Sequence, residues 1–114
     1  MIQIYGIKNC DSVKKAIKFF KTHELKYELF DFKTENLSCE KISSWLEKTD
    51  IKTLFNARST TYRNLKLKEL ALDEKAQEDW LCKENLLIKR PVIEFKDSLI
   101  VGFKEDEYKK LLTI

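Results

Sequence analysis

The chain is poor in the residues that mark linkers and disorder, since its 114 residues include two glycines and one proline. It has no apolar run that approaches the ~20 residues of a membrane-spanning helix. Its N-terminus lacks the charged and apolar regions of a signal peptide. These absences predict a folded cytoplasmic protein that has no membrane partner.

Histidine and cysteine are also scarce. His23 is the one histidine, and the cysteines stand far apart at positions 10, 39 and 82. Without clustered ligands, no metal site is expected. An odd number of widely spaced cysteines predicts reduced thiols, and Cys39 and Cys82 are interpreted as structural residues of helical segments.

Neither sign of charge dominates, because the chain contains 22 basic and 19 acidic residues and has a net charge of +3. The small excess lies mostly on the lysines of the first helical segment. Basic and acidic groups are nearly equal in number, so a solvated helix face explains these lysines better than nucleic-acid binding does. No direct nucleic-acid partner is predicted.

The first third of the chain has the pattern of a β-α-β unit. Ile2 to Tyr5 is a short apolar strand, residues 11–20 have an apolar stripe at helical spacing, and Tyr27 to Phe32 is an aromatic-rich strand. Two strands joined by a helix of this length predict a right-handed unit with parallel strands.

Only helices are predicted next, with Ser38 and Asp50 as N-caps and a further helix from about Asp73 to Lys83. Strands return after the proline, as a hairpin around residues 96–98, and a last helix begins near Lys104. The sequence therefore predicts an α/β fold, a four-stranded mixed sheet in the order β-α-β … β-β-α. The whole chain, residues 1–114, is expected to form one domain in which residues 34–88 are an all-helical insertion.

Cys10 lies where the first strand gives way to the first helix. A helix start leaves backbone N–H groups unpaired and carries partial positive charge, which stabilises a thiolate. Because the thiolate is the reactive form of cysteine, this position makes Cys10 a candidate nucleophile.

Cys10 belongs to the first of four motifs, which are residues 5–11 with 14–16, 56–60, 88–93 and 101–103. In this order and spacing they resemble the arsenate-reductase-like family of the thioredoxin superfamily, which includes ArsC, Spx and the YffB group. The resemblance covers essentially the whole chain and is strongest to the YffB branch.

The resemblance implies a thioredoxin-like fold and a set of site residues. Cys10 matches the family's nucleophile, Arg58 and Arg90 match arginines that surround the bound oxyanion in ArsC, and Pro91 matches a proline that follows a cis peptide bond. Asn9 and Ser12 neighbour the thiol in sequence and join the predicted substrate site, and Asn9 or Asp11 is expected to cap the helix.

Two departures from the family pattern reduce the number of candidate functions. Phe103 stands where ArsC has a third arginine, which argues against arsenate reduction. Val13 stands where many relatives have a second cysteine, so no local disulfide with Cys10 can form.

The leading hypothesis is therefore a reductase with one nucleophilic cysteine. It would have no bound cofactor and would use glutathione or another thiol as co-substrate on a small-molecule or protein substrate. An Spx-like regulator that binds RNA polymerase is the alternative, and an arsenate reductase is the third.

Overall fold

The computed structural model describes residues 1–114 and divides the chain into two compact units. The sheet unit consists of residues 1–35 and 90–114, and the helical unit consists of residues 36–89. None of the helices has the length and apolar composition needed to cross a membrane. The assignment of the chain to one domain stays a prediction.

The sheet unit contains the predicted four-stranded mixed sheet. Its strands are β1 (Ile2–Gly6), β2 (Tyr27–Asp31), β3 (Val92–Phe95) and β4 (Ser98–Val101), in the spatial order β2-β1-β3-β4. β1 and β2 are parallel, whereas β1 with β3 and β3 with β4 are antiparallel. The predicted four-stranded mixed sheet and the α/β class are confirmed.

Two helices pack against one face of this sheet, α1 (Asp11–Thr22) and α6 (Glu105–Leu112). The apolar stripe of α1 has the i, i+3, i+4, i+7 spacing that places its residues on one helix face. The buried cluster between helices and sheet consists of Ile2, Ile4, Val13, Ala16, Phe19, Phe20, Ile93, Ile100 and Tyr108. Cys10 packs against its margin, so the core fixes the position of the thiol.

The β3–β4 hairpin has a shorter loop than the sequence suggested. Ser98 pairs with Phe95 and belongs to β4, so only Lys96 and Asp97 form the turn. Lys96 has a φ of 54°, a left-handed conformation that tight hairpin turns require.

The helical unit contains four short helices, α2 (Cys39–Leu46), α3 (Ile51–Leu54), α4 (Thr60–Asn64) and α5 (Glu74–Lys83), and two 3₁₀ turns at Leu67–Leu70 and Asn85–Leu87. A side-chain oxygen caps the start of each α-helix, and the caps are Ser38, Asp50, Ser59 and Asp73. The two N-caps predicted from sequence, Ser38 and Asp50, are confirmed.

The cysteines differ from the sequence prediction. Cys39 and Cys82 form a disulfide, with a Cα to Cα distance of 5.0 Å, so the expectation of reduced thiols is wrong for this pair. Cys39 is exposed, and Cys82 is half-buried. The two cysteines are 43 residues apart in sequence, and only the packing of α2 near α5 brings them together.

Candidate thiol site

The loop between β1 and α1 is held at the end of the parallel strand pair. The Phe32 N–H donates to the Gly6 carbonyl at 2.8 Å, and the Lys8 N–H donates to Asp31 Oδ2 at 3.3 Å. The Cys10 N–H closes the loop with a bond of 3.0 Å to the Ile7 carbonyl. These bonds fix the backbone that carries Cys10.

Cys10 is itself the N-cap of α1. It has extended backbone angles, φ −75° and ψ 130°, and its carbonyl accepts the first helical bond from the Lys14 N–H at 2.9 Å. The expectation that Asn9 or Asp11 caps this helix is therefore wrong. No side chain makes a capping bond here, so the sulfur lies at a helix start whose first N–H groups have no intrahelical acceptor.

The thiol is unpaired with any other cysteine and half-buried. Contact with the core holds the side chain in place, and the residue as a whole remains partly exposed. Because Cys10 is the N-cap, its sulfur lies at the electropositive end of α1.

Gly6 allows α1 to approach β1 closely. A Cβ atom at this position would lie 2.5 Å from Val13 Cγ2, closer than two carbon atoms can approach without displacement. Val13 is fully buried, so it has no space in which to retreat. The absence of a side chain at residue 6 therefore sets how α1, and with it Cys10, lies on the sheet.

Strand register brings a second segment to the same edge of the sheet. Tyr5 near the end of β1 pairs with Val92 at the start of β3, so Arg90 and Pro91 precede β3 at the edge where the Cys10 loop leaves β1. The Arg90–Pro91 peptide bond is cis, and the Pro91 carbonyl accepts a 2.7 Å bond from the Gly102 N–H. Arg90 is half-buried and its Nε atom is buried.

The structure places the other predicted residues as follows. Asn9, directly before Cys10, is exposed, and Ser12, two residues after Cys10, is half-buried. Arg58 belongs to the helical unit, where it is exposed between α3 and α4 and its N–H donates to Asn56 Oδ1 at 3.0 Å. Cys10, Asn9, Ser12, Arg90 and Pro91 thus share the sheet unit, and Arg58 lies outside it.

Phe103, which follows β4, makes an apolar contact in the structure. Its ring lies edge-on to Tyr108, with centroids 5.7 Å apart. Tyr108 is completely buried and donates a 2.6 Å hydrogen bond to the Gly102 carbonyl. Burial raises the pKa of Tyr108 above its usual range. Phe103 therefore packs against a buried, hydrogen-bonded tyrosine at this corner of the sheet unit.

Sequence reasoning missed a polar pair on the sheet. The Tyr5 hydroxyl donates to Glu94 Oε1 at 2.9 Å, from β1 to β3. Burial, and then the neighbouring Glu94 carboxylate, raise the pKa of Tyr5. The phenol therefore stays protonated and serves as a hydrogen-bond donor that ties the two strands together close to the Cys10 loop.

Sequence reasoning also missed a groove beside the thiol loop. It has a volume of about 560 Å³, and Ile17, Tyr27 and Leu29 form its apolar lining. The polar residues around it include four lysines and no acid, and they are Lys8, Asn9, Lys14, Lys18, Lys21 and Thr22. The groove runs along α1, and one of its lining residues, Asn9, directly precedes Cys10 in the sequence.

A sheet in the order β2-β1-β3-β4, with helices on one face and a cysteine at the start of the first helix, defines the thioredoxin-like fold. The family can be stated more closely, because the model of the ArsC family matches residues 5–111. The chain belongs to the ArsC family.

Individual relatives agree with this assignment. An uncharacterised protein of Haemophilus influenzae is 37% identical over 110 residues, with 96% of each chain covered. The global transcriptional regulator Spx of Lactiplantibacillus plantarum is 30% identical over 116 residues, covering 98% of this chain and 86% of its own. Among solved structures, the YFFB (PA3664) protein is 32% identical and has a TM-score of 0.88, with 96% of this chain and 97% of that chain covered.

Proposed function

We propose that the protein is a thiol-dependent reductase in which Cys10 is the single nucleophile and glutathione, or a similar small thiol, is the reductant. The observation that carries this proposal is the position of Cys10, a free and half-buried cysteine at the N-cap of α1. A cytoplasmic location, where small thiols are kept reduced, and the absence of a bound cofactor are parts of the same proposal.

The reaction has two exchange steps. In the first, the Cys10 thiolate attacks the glutathione sulfur of a mixed disulfide, the substrate leaves as a thiolate that takes a proton from water, and Cys10 becomes glutathionylated. In the second, a glutathione thiolate attacks the glutathione sulfur on Cys10, which releases the Cys10 thiolate and oxidised glutathione. Over the two steps, the mixed disulfide and one glutathione thiol are converted into the substrate thiol and oxidised glutathione, and Cys10 is regenerated.

An external thiol is needed because no cysteine adjoins Cys10. Val13 occupies the position three residues later, and the other two cysteines are bonded to each other. A chain with one available thiol cannot close an internal disulfide with it, so the mixed disulfide must persist until a second small thiol arrives.

Charge supports an anionic co-substrate. The groove beside the loop has Lys8, Lys14, Lys18 and Lys21 around it, and glutathione carries carboxylates that lysines attract. Arg90 and Pro91, together with Asn9 and Ser12, are the proposed contacts of the substrate next to the sulfur. Arg58 is proposed as a further carboxylate-binding residue because arginine binds carboxylates through two parallel hydrogen bonds.

The test is to incubate the reduced protein with oxidised glutathione and to locate adducts by mass spectrometry after digestion. A stable glutathione adduct on Cys10, absent from Cys10→Ser, is the expected result. Cys10→Ser retains Cys39 and Cys82, so it is a control for adducts at other sites. A protein whose Cys10 acquires no adduct, or acquires one no faster than an unfolded peptide, would refute the proposal.

A second candidate function is that of a transcription regulator that binds RNA polymerase. The observation that favours it is the similarity to Spx over 98% of this chain. Retention of RNA polymerase subunits by the immobilised protein, unchanged in Cys10→Ser, would favour this function over the reductase. The absence of a second cysteine at position 13 removes the redox switch that the family resemblance associates with Spx.

Arsenate reduction is the third candidate and has the least support. Phe103 packs against Tyr108 where a third arginine would be needed, so a bound tetrahedral oxyanion would lack one of its charged partners. We expect no arsenate turnover above the level of Cys10→Ser.

A further inference from the structure

The disulfide of the helical unit is accessible from solvent. Cys39 is the first residue of α2 and is exposed, and Cys82 lies in the last turn of α5 and is half-buried. Exposed disulfides are open to attack by small thiols, whereas buried ones are protected. Cys39 is the more exposed residue of the two.

The two cysteines are also held close together by contacts other than their own bond. The Leu37 N–H donates to Asn85 Oδ1 at 2.8 Å, and Asn85 Nδ2 donates to the Leu81 carbonyl at 2.9 Å, both buried. Leu37 lies two residues before Cys39, and Asn85 lies three residues after Cys82. This pair of hydrogen bonds keeps the start of α2 next to the end of α5 when the sulfurs are reduced.

Apolar packing supports the same arrangement. Ile42 and Trp45 of α2 and Leu81 of α5 are fully buried. The helical unit therefore does not depend on the disulfide for its core, and its reduced form should stay folded. A dithiol that remains preorganised can be oxidised again without a search for its partner.

We propose that Cys39 and Cys82 form a second thiol–disulfide exchange site, which is oxidised and reduced reversibly by small thiols and disulfides of the glutathione type. In reduction, a small thiolate attacks the Cys39 sulfur, the Cys39–Cys82 bond breaks, and Cys82 leaves as a thiolate that is protonated by water. A second small thiolate attacks the sulfur of the small molecule, which frees Cys39 and yields the small-molecule disulfide. Two electrons pass to the cysteine pair.

Oxidation is the reverse sequence, in which the small disulfide accepts the two electrons. The mixed disulfide on Cys39 is short-lived in this direction because Cys82 is beside it and displaces the small thiol. This is the chemical difference from Cys10, which has no neighbouring cysteine. The second site goes beyond the proposed reductase and does not require Cys10.

The experiment uses the full chain with Cys10→Ser, so that only this pair can react. The protein is equilibrated with mixtures of reduced and oxidised glutathione, quenched with an alkylating reagent and weighed by mass spectrometry. The expected result is an intramolecular disulfide whose fraction rises and falls reversibly with the mixture, with no lasting glutathione adduct. In Cys10→Ser/Cys82→Ser, Cys39 should instead retain the adduct.

Thermal unfolding of the same samples is the second measurement. The oxidised form should melt higher by on the order of 10 °C, and the reduced form should still unfold cooperatively. A pair that stays oxidised in every mixture would be a purely structural cross-link, and a pair that never forms the bond would contradict the disulfide. Either result would overturn this proposal and leave the Cys10 proposal standing.

Discussion

Cys10 has two roles that conflict at the level of a single residue. It occupies the N-cap of α1, where serine, threonine, aspartate or asparagine would accept a hydrogen bond from the first turn, yet its side chain makes no such bond. A better capping residue would stabilise the helix and remove the sulfur. The weak cap is therefore consistent with a position retained for chemistry.

This conflict gives the first prediction. Cys10→Ser should be more stable than Cys10→Ala by about 1 kcal/mol, because the hydroxyl oxygen can accept a bond from a first-turn N–H and a methyl group cannot. The free energy of unfolding in urea measures the difference. If serine and alanine give equal stability, the first turn of α1 does not have the open donors described here.

Tyr108 is one of two buried tyrosines, with Tyr5, that should make stability depend on pH. Its pKa in the folded protein is raised by burial, whereas in the unfolded chain it is about 10. A raised folded pKa means that the contribution to stability is complete below about pH 10 and is lost as the pH rises above it.

The second prediction follows from the upward shift of the Tyr108 pKa on folding. Above about pH 10 the free energy of unfolding should fall with a contribution from Tyr108 of about 1.4 kcal/mol per pH unit. Tyr108→Phe should be less stable at neutral pH, by about 1 kcal/mol for the lost bond to Gly102, but should show a shallower alkaline decline. Urea unfolding over this pH range measures both slopes, and equal slopes would contradict the assignment.

At the level of elements, the contact between β1 and α1 decides where the thiol lies. Gly6 leaves no room for a side chain beside Val13 Cγ2. Because α1 is also held by its buried stripe, a larger residue 6 must displace the helix start or strain the strand. Cys10 lies on the short loop between these two elements and would move with them.

The third prediction is that Gly6→Ala lowers the free energy of unfolding by about 1–3 kcal/mol and slows the reaction of Cys10 with oxidised glutathione. In Gly6→Ala/Val13→Ala the clashing methyl group is gone, so the two changes should be less harmful together than the sum of their separate effects. A strictly additive double variant would show that the close approach does not constrain α1.

The lysine-lined groove along α1 provides the fourth prediction. Lys18→Glu should slow glutathionylation of Cys10 by oxidised glutathione roughly 2- to 5-fold at low salt, because it reverses one charge beside an anionic reagent. The difference should shrink as salt screens the charges. Lys110→Glu changes the net charge equally on the exposed side of α6, and an equal effect from it would exclude a local role for the groove.

At the level of the whole molecule, the sheet could be predicted from the sequence because its signals are local. Period-two runs, the helical stripe of α1 and the single proline each mark one element, and the β-α-β rule sets the parallel pair. The helices of the helical unit were harder to predict from the sequence. α4 buries none of its residues, so it has no apolar stripe. α5 buries only Leu81.

The candidate site shows the same division between local and distant signals. Cys10 could be found because a strand, a short loop and a helix start are adjacent in sequence. The Cys39–Cys82 bond could not, because its partners are 43 residues apart and spacing alone does not pair cysteines. The groove was missed because Tyr27 and Leu29 come beside Ile17 only once β2 is placed next to β1.

The most direct test of the central claim is a turnover assay with a glutathionylated peptide as substrate and reduced glutathione as reductant. It compares wild type, Cys10→Ser and the disulfide-free variant Cys39→Ser/Cys82→Ser. We predict that wild type and the disulfide-free variant release the peptide thiol well above the uncatalysed rate, and that Cys10→Ser does not. Equal release by wild type and Cys10→Ser would contradict the assignment of Cys10 as the nucleophile.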